Sequence, residues 1–256
     1  MRTKISRENP YGHDPHGFAW EHVPAGGRAH LDFGCGGGRF LNSLSGKGIA
    51  RLVGVDISAG AAARARRDFP ALEIVHVRKT IPLPFEDGCF ASATLLDVLE
   101  HVYEQPALLA ELHRVLVPGG PLIVTVPRRH LFSFLDRGNL KFLLPSLHRW
   151  HYCRRHSRAE YDRRYAANPD GLIGDVSARK RWHEHFTPGR LGWLLGESGF
   201  SVVEFDGCGL LLRPIGLLAE AVKPLAAGRR ALKRLARLDA KRYQWTNLFC
   251  ISRKDG

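Results

Sequence analysis

Short apolar runs alternate with helix-like segments through the first half of this 256-residue chain. Amphipathic helical spacing marks three segments, at 39–45, 59–68 and 106–116. Strands that alternate with helices are typical of a parallel sheet covered on both faces, which predicts an α/β fold. The apolar runs predict five strands, at 29–33, 51–56, 72–77, 90–96 and 122–126.

The alternation stops after Pro127 and resumes at a helix predicted over 187–198, where Thr187 can cap the helix and Pro188 suits its first position. Two further strands are expected, at 200–205 and 245–252. With the first five strands, they complete a mostly parallel sheet of seven strands.

Three segments lie outside this alternating pattern. Residues 1–27, rich in Gly, Pro and His, predict an irregular lead-in to a single domain over 28–256. Residues 128–181 combine aromatic and basic positions and predict a helical, lid-like insert. Residues 207–244 are rich in Leu and Arg at helical spacing, which predicts a basic amphipathic segment before the last strand.

The net charge of +13 lies entirely in the second half of the chain, because residues 1–127 carry as many acidic as basic side chains. An excess of this kind indicates an anionic partner. Arginines opposite a leucine stripe suit a helix on an anionic membrane surface. Basic residues with interleaved aromatics also suit nucleic acid, and the leucines could simply pack on the domain's own sheet.

The five cysteines are scattered and form no C-x-x-C pair, which favours a reducing, cytoplasmic location without disulfide partners. No apolar run approaches the ~18 residues of a spanning helix, and the polar start lacks the apolar region of a signal peptide. A cytoplasmic protein is therefore expected, with peripheral contact at the inner face of the membrane through 207–244 as one alternative.

A glycine-rich turn follows the first strand, in the sequence Asp32-Phe-Gly-Cys-Gly-Gly-Gly-Arg39. Glycine is needed where φ is positive or where a ligand must approach the backbone, and the helix that starts after the turn offers free N–H groups. Asp56 ends the second strand some twenty residues later, where an acid can accept hydrogen bonds from both ribose hydroxyls. These two features predict a ligand that contains adenosine.

Further motifs follow in order along the chain. The sequence resembles the class I S-adenosylmethionine-dependent methyltransferases, particularly the small-molecule group, over roughly 28–127 and 183–206. The resemblance implies a Rossmann-like sheet, S-adenosylmethionine as cofactor and methyl transfer as the reaction. The matching stretches are LDFGCGGGRF (31–40), VGVDIS (53–58), LPFEDGCF (83–90), LLDVLEHV (95–102), LHRVLVPGGPLIVTVP (112–127) and HEHFTPGRLGWLLGESGF (183–200).

The resemblance also implies roles for individual residues. Asp56 would bind the ribose, Ile57 would pack on the adenine, and Asp97 would line the methionine end. Two positions depart from the family pattern. An acid is often found after the third strand, where this chain has Arg78-Lys79-Thr80, so Thr80 or a backbone group would contact the adenine; Ala91 stands where Asp is usual. The methionine moiety would be held by the turn residues Asp32, Gly34, Cys35, Gly36 and Gly38.

Methyl transfer mainly requires alignment of the acceptor with the sulfonium, and a general base helps when the acceptor is a hydroxyl. His101, His183 and His185 lie on segments near the ligand end of the sheet and are the candidate bases, although such a residue is more often a structural or solvated histidine. His101 is favoured because Glu100 and Asp97 share its neighbourhood.

Two clusters suggest metal ligands. Asp97-x-x-Glu100-His101 is similar to a divalent-ion cluster in some polyprenyl-quinone and small-RNA methyltransferases, but the same residues can start a helix in metal-free relatives. The second cluster consists of the histidines and Cys153 within 148–156. These residue types suit zinc, but their spacing among basic and aromatic residues is more typical of a basic helix face than of a zinc site. We expect no metal at either place.

The sequence therefore predicts O-methylation of a small or lipid-linked acceptor by S-adenosylmethionine. A nucleic-acid methyltransferase and a non-catalytic S-adenosylmethionine-binding protein are the alternatives.

Overall fold

The structure is a computed structural model that describes residues 9–11, 14–77, 81–129, 144–162, 184–207 and 247–256. Its centre is a seven-stranded sheet in the order β3-β2-β1-β4-β5-β7-β6. The strands are β1 (His30–Phe33), β2 (Leu52–Asp56), β3 (Glu73–His76), β4 (Ser92–Leu96), β5 (Pro121–Pro127), β6 (Phe200–Gly207) and β7 (Asn247–Lys254).

Strands β1 to β5 are parallel, and β7 runs antiparallel to both β5 and β6. The prediction of a mostly parallel, Rossmann-like sheet is confirmed. All seven strands lie within two residues of the positions expected from the apolar runs.

Helices cover both faces of the sheet. Two short 3₁₀ helices, Leu44–Lys47 and Leu99–His101, complete the connections. The α-helices are α1 (Pro15–His22), α2 (Arg39–Ser43), α3 (Ala59–Asp68), α4 (Gln105–Val115), α5 (Pro145–Cys153), α6 (Arg158–Tyr161) and α7 (Pro188–Glu197).

Helix α1 corrects the expectation that residues 1–27 are irregular throughout. The Asp14 carboxylate caps the helix by accepting from the Gly17 N–H at 2.7 Å, and Pro15 occupies its first turn. Phe18 and Trp20 are buried, and the Phe18 ring lies 5.0 Å from that of Phe249 in β7. This helix therefore covers part of the sheet.

Alternate side chains of each strand enter two different cores. Leu31 and Phe33 belong to the core that α4 and α7 cover, whereas Ile123 and Phe249 belong to the core beneath α1, α2 and α3. Because side chains alternate along a strand, His30 and Asp32 face the second core. The sheet thus separates two apolar layers and leaves its carboxyl edge for a ligand.

The predicted insert contains helices α5 and α6, which pack on each other through Tyr152 and Tyr161. Gly207 ends β6, and the rest of the predicted basic segment, 208–244, lies outside the described residues. Among the helices that the structure describes, none has the length and apolar character needed to cross a membrane.

Candidate cofactor and acceptor site

The carboxyl ends of β1, β2 and β4 meet at one edge of the sheet. The strand register pairs Asp32 of β1 with Gly54 of β2 and with Thr94 of β4. Asp56 and Asp97 follow at the ends of those two neighbours. The three carboxylates predicted to line the cofactor therefore share one edge, which is where open α/β sheets bind ligands.

The glycine turn between β1 and α2 requires a left-handed backbone at Gly34 (φ 82°), Gly36 (φ 53°) and Gly38 (φ 76°). The Gly34 N–H donates to the Val55 carbonyl oxygen at 2.7 Å, which fastens the turn to β2. A Cβ on Gly34 would overlap the Val98 side chain, but a Cβ on Gly36 would meet nothing within 4 Å. The turn is thus packed at Gly34 and Gly38 and open between them, at Gly36 and Gly37.

Asp56 fastens the open part of the turn to β2. Its Oδ2 accepts from the Gly36 N–H at 2.7 Å and its Oδ1 from the Ser58 N–H at 2.8 Å. Each carboxylate oxygen can accept a second hydrogen bond, so both remain able to bind a pair of hydroxyls. The Ser58 hydroxyl in turn accepts from the Ala61 N–H and caps α3.

Ile57, predicted to contact an adenine, follows Asp56 at the same edge. Its side chain is partly buried against the core under α4 and α7. Its carbonyl oxygen accepts a 3.2 Å hydrogen bond from His76 Nε2, at the end of β3. The backbone on this side of the edge is therefore fixed by the neighbouring strand.

Asp32 lies beneath the glycine turn and is 3% exposed. Burial raises the pKa of its carboxyl to about 7, the hydrogen bond from the Thr94 hydroxyl opposes this shift, and the charge of Asp56 adds to it. Burial also raises the pKa of the Cys35 thiol in the turn, which favours the protonated sulfur over the thiolate.

Asp97 adopts a left-handed backbone (φ 52°), which Asp and Asn tolerate better than other side chains. Its N–H donates to the Thr125 carbonyl oxygen at 2.9 Å, and the Thr125 hydroxyl donates to Asp97 Oδ1 at 3.0 Å. Strained backbone of this kind often occurs at functional sites. Here it turns the chain sharply out of β4 at the ligand edge.

His101 ends the 3₁₀ helix that follows this sharp turn. Its Nε2 lies 3.8 Å from Oε1 of Glu100, too far for a hydrogen bond but within ion-pair range of a protonated ring. The Glu100 side chain is buried, while that of His101 is 22% exposed. An imidazole in this position is open to an acceptor and has a carboxylate beside it.

His185 is held against the same region by its neighbours on both sides. The Phe186 N–H donates to the Pro127 carbonyl oxygen at 2.8 Å, at the end of β5. Glu184 Oε2 accepts a 2.7 Å hydrogen bond from Gln105 Nε2, which also donates to the Leu99 carbonyl oxygen at 3.0 Å. Gln105 thereby joins the two histidine segments.

Gln105 and Glu184 were missed in the sequence, although Glu184 lies inside one of the family-like stretches. The burial of Gln105, which makes its amide need partners, is known only from the structure. Its pairing with Glu184 across the chain likewise requires the fold.

Most of the predicted site residues lie at this one edge. Thr80 and His183 fall outside the described residues, as do Arg78 and Lys79. Ala91 is bonded through its N–H to the Ala29 carbonyl oxygen at 2.9 Å, which fits a structural position. Within the described residues, no three His, Cys, Asp or Glu side chains are placed to hold a metal ion. The residues at or beside the edge are Asp32, Gly34, Cys35, Gly36, Gly38, Asp56, Ile57, Asp97, His101 and His185.

The sheet order and the reversed β7 define a class I methyltransferase fold. The crystal structure of an S-adenosylmethionine-dependent methyltransferase from Mesorhizobium loti has this fold: the TM-score is 0.57 at 18% identity, and the match covers 94% of this chain and 99% of that chain.

Sequence comparisons agree with the fold. A family model described as a methyltransferase domain matches residues 31–124. A probable S-adenosylmethionine-dependent methyltransferase of Mycolicibacterium smegmatis is 33% identical over 107 residues, 42% of this chain and 41% of that protein. The ubiquinone biosynthesis O-methyltransferase of Alkalilimnicola ehrlichii is 32% identical over 133 residues, 48% of this chain and 53% of that enzyme.

The prediction drawn from the motifs is confirmed: residues 31–124 carry a methyltransferase domain of the class that uses S-adenosylmethionine. The chain spans about half the length, or less, of the curated relatives it matches.

Proposed function

We propose that this protein transfers the methyl group of S-adenosylmethionine to an oxygen of a small or lipid-linked acceptor. The observation that carries the proposal is the glycine turn, which is open at Gly36 and tied by that residue's N–H to Asp56. A carboxylate that can still accept from ribose hydroxyls, beside a stretch of backbone that a ligand can approach closely, is what a nucleoside cofactor needs.

The histidines at the edge support oxygen as the methylated atom. An acceptor hydroxyl would attack the methyl carbon in line with the departing sulfur, forming an O–CH₃ bond as the CH₃–S⁺ bond breaks. The hydroxyl proton would pass to an imidazole nitrogen, and the products are a methyl ether and neutral S-adenosylhomocysteine. His101, beside the buried Glu100, and His185 are the candidate bases. The O-methyltransferase among the relatives is consistent with this chemistry.

Product mass spectrometry with a panel of quinone, glycan and lipid hydroxyls tests the proposal. Wild-type protein should add one methyl group to an acceptor and release S-adenosylhomocysteine. His101→Gln should lower kcat by about 10²-fold or more if it is the general base. His113→Gln is the matched control, because His113 lies at the far end of α4. Cofactor binding without methylation of any panel member would favour the non-catalytic alternative.

The lipid-linked part of the proposal is supported by helix α5 in the insert. This helix buries none of its residues; Leu147 is 47% and Trp150 57% exposed. The Arg154 guanidinium lies 5.0 Å from the Trp150 ring centroid, and three further arginines lie within 149–158. Tryptophan and leucine beside arginines suit the interface of an anionic bilayer.

Flotation with phosphatidylglycerol vesicles tests this contact, and phosphatidylcholine vesicles provide the uncharged comparison. Trp150→Ser should reduce binding to the anionic vesicles. Trp193→Ser is the matched control, since Trp193 is 54% exposed and also has an arginine over its ring but belongs to α7. Equal flotation of both variants would contradict a role for α5, and tight, salt-sensitive RNA binding would favour a nucleic-acid acceptor instead.

A further inference from the structure

A ladder of four buried polar side chains crosses the interior between β1 and β4. The register pairs His30 with Ser92 and Asp32 with Thr94, and all four are at most 3% exposed. Strands of a parallel sheet covered on both faces are usually apolar throughout. Four polar residues in this position therefore require a reason beyond packing, because each must find partners away from water.

The hydrogen bonds of the ladder run in one direction when Asp32 is ionised. The Thr94 hydroxyl donates to Asp32 Oδ1 at 2.8 Å, since a carboxylate can only accept. The Thr94 oxygen then accepts from His30 Nε2 at 3.1 Å. His30 Nδ1 is left to accept from the Ser92 hydroxyl at 2.8 Å.

The ladder can also reverse without losing a partner. If Asp32 is protonated, its O–H can donate to Thr94, the Thr94 hydroxyl to His30 Nε2, and His30 Nδ1–H to Ser92. His30 stays neutral in both directions, because burial, helped by the positive charge of Lys47, lowers its pKa to about 3. The ladder thus satisfies Asp32 in either protonation state.

We propose that Thr94 and His30 are positioning residues that orient the Asp32 carboxylate beneath the glycine turn and set the pH range in which the turn binds the cationic methyl donor. This inference rests on the proposed function. Asp32 comes directly before the turn, and S-adenosylmethionine carries a sulfonium and an ammonium group. A cation in the turn favours the ionised form of the Asp32 carboxyl. The affinity for S-adenosylmethionine should therefore rise as the pH rises through about 7.

The other ionisable groups near Asp32 do not supply the hydrogen bond by which the ladder stabilises its carboxylate. Asp56, from β2, opposes ionisation of Asp32 by its own charge, and the Cys35 thiol is protonated. On α1, which covers this face, Glu21 accepts a hydrogen bond from Asn9 and the His22 ring is bonded to the Phe18 carbonyl oxygen. Arg39 in the first turn of α2 is exposed.

Thr94→Val and Thr94→Ser separate positioning from packing. Valine removes the hydroxyl, whereas serine keeps it. Ser252→Ala is the matched control, because Ser252 is another fully buried hydroxyl of the same sheet and bonds only a backbone carbonyl oxygen, that of Leu122. Folding of each variant is checked by thermal unfolding.

Two measurements distinguish a failure of the ladder inference from a failure of the proposed function. Carboxyl ¹³C titration of Asp32 in the ligand-free protein, assigned with Asp32→Asn, should show a higher midpoint in the valine variant and wild-type behaviour in the serine and Ser252→Ala variants. Calorimetry at about pH 7 should show S-adenosylmethionine affinity reduced about tenfold by valine only, the effect of one lost hydrogen bond to a charged group.

An unchanged Asp32 midpoint in Thr94→Val overturns the inference. If that variant does not fold, His30→Leu gives the same readout, because the Thr94 oxygen then loses the Nε2–H donor that turns its hydroxyl towards Asp32, and the same upward shift is expected. A shifted midpoint together with no S-adenosylmethionine binding by the wild type would refute the methyl-donor function and leave only the effect of the ladder on Asp32.

Discussion

Replacing Asp56 with Asn tests the carboxylate that ties β2 to the glycine turn. In the wild type, both carboxylate oxygens accept backbone N–H groups, from Gly36 at 2.7 Å and from Ser58 at 2.8 Å. Asn keeps one acceptor oxygen and turns an NH₂ group towards the other N–H. One charge-assisted hydrogen bond is lost and the remaining one is weakened, so we expect stability to fall by about 1.5–3 kcal/mol.

The effect on cofactor affinity should be separable from this loss of stability. An Asp56 that accepts hydrogen bonds from ribose hydroxyls contributes about 1–3 kcal/mol, or about 5- to 150-fold in Kd. Isothermal calorimetry with S-adenosylmethionine and S-adenosylhomocysteine should show the same loss for both, because they share the ribose. Thermal unfolding should show a Tm lower by about 2–4 °C for each kcal/mol.

Glu73→Gln provides the control. Glu73 is an acid on the neighbouring strand β3, and its exposed ion pair with Arg51 adds little to stability. A Kd for S-adenosylmethionine within twofold of wild type in Asp56→Asn, in a protein whose Tm has fallen, would refute the assignment of Asp56 to the ribose.

Three further predictions concern the turn, the ladder and the loop before β4. Gly34→Ala should destabilise the fold by about 2–4 kcal/mol in urea unfolding, because the new Cβ overlaps Val98 and the backbone φ is positive. Gly36→Ala should destabilise it by about 1 kcal/mol and mainly lower cofactor affinity, because a Cβ there meets nothing within 4 Å. His30→Gln should gain stability relative to wild type as pH falls from about 6.5 to about 3, since the folded wild type binds fewer protons than the unfolded chain in that window; parallel pH curves would contradict this. Arg114→Ala should lower stability by about 1–3 kcal/mol in urea unfolding, because Arg114 donates hydrogen bonds to carbonyl and carboxylate oxygens of the loop before β4. An unchanged midpoint of the unfolding transition would show that packing alone holds this loop.

The sheet could be predicted from the sequence because each strand carries a short apolar run and most of the helices between the strands are amphipathic. Helix α1 could not, since its short segment carries Gly and His and shows no amphipathic stripe. Its stability comes from the Asp14 cap and from contacts with residues as distant as Phe249. Tertiary packing of that kind leaves little trace in local spacing.

The candidate site likewise has a part that could be predicted from the sequence and a part that could not. The glycine turn and the acids could be placed at one edge from the sequence, because the carboxyl ends of parallel strands meet at the same edge of an α/β sheet. The link of Gln105 to Glu184 joins residues far apart in the chain, and the left-handed backbone of Asp97 depends on its bonds to Thr125. The ladder beneath Asp32 likewise needs the register of β1 and β4.

Calorimetric titration of the intact chain with S-adenosylmethionine and S-adenosylhomocysteine tests the assignment of the glycine turn most directly. Saturable one-to-one binding of both ligands, weakened alike by Asp56→Asn and unaffected by Glu73→Gln, is the expected result. A folded protein that gives no heat of binding with either ligand would contradict it.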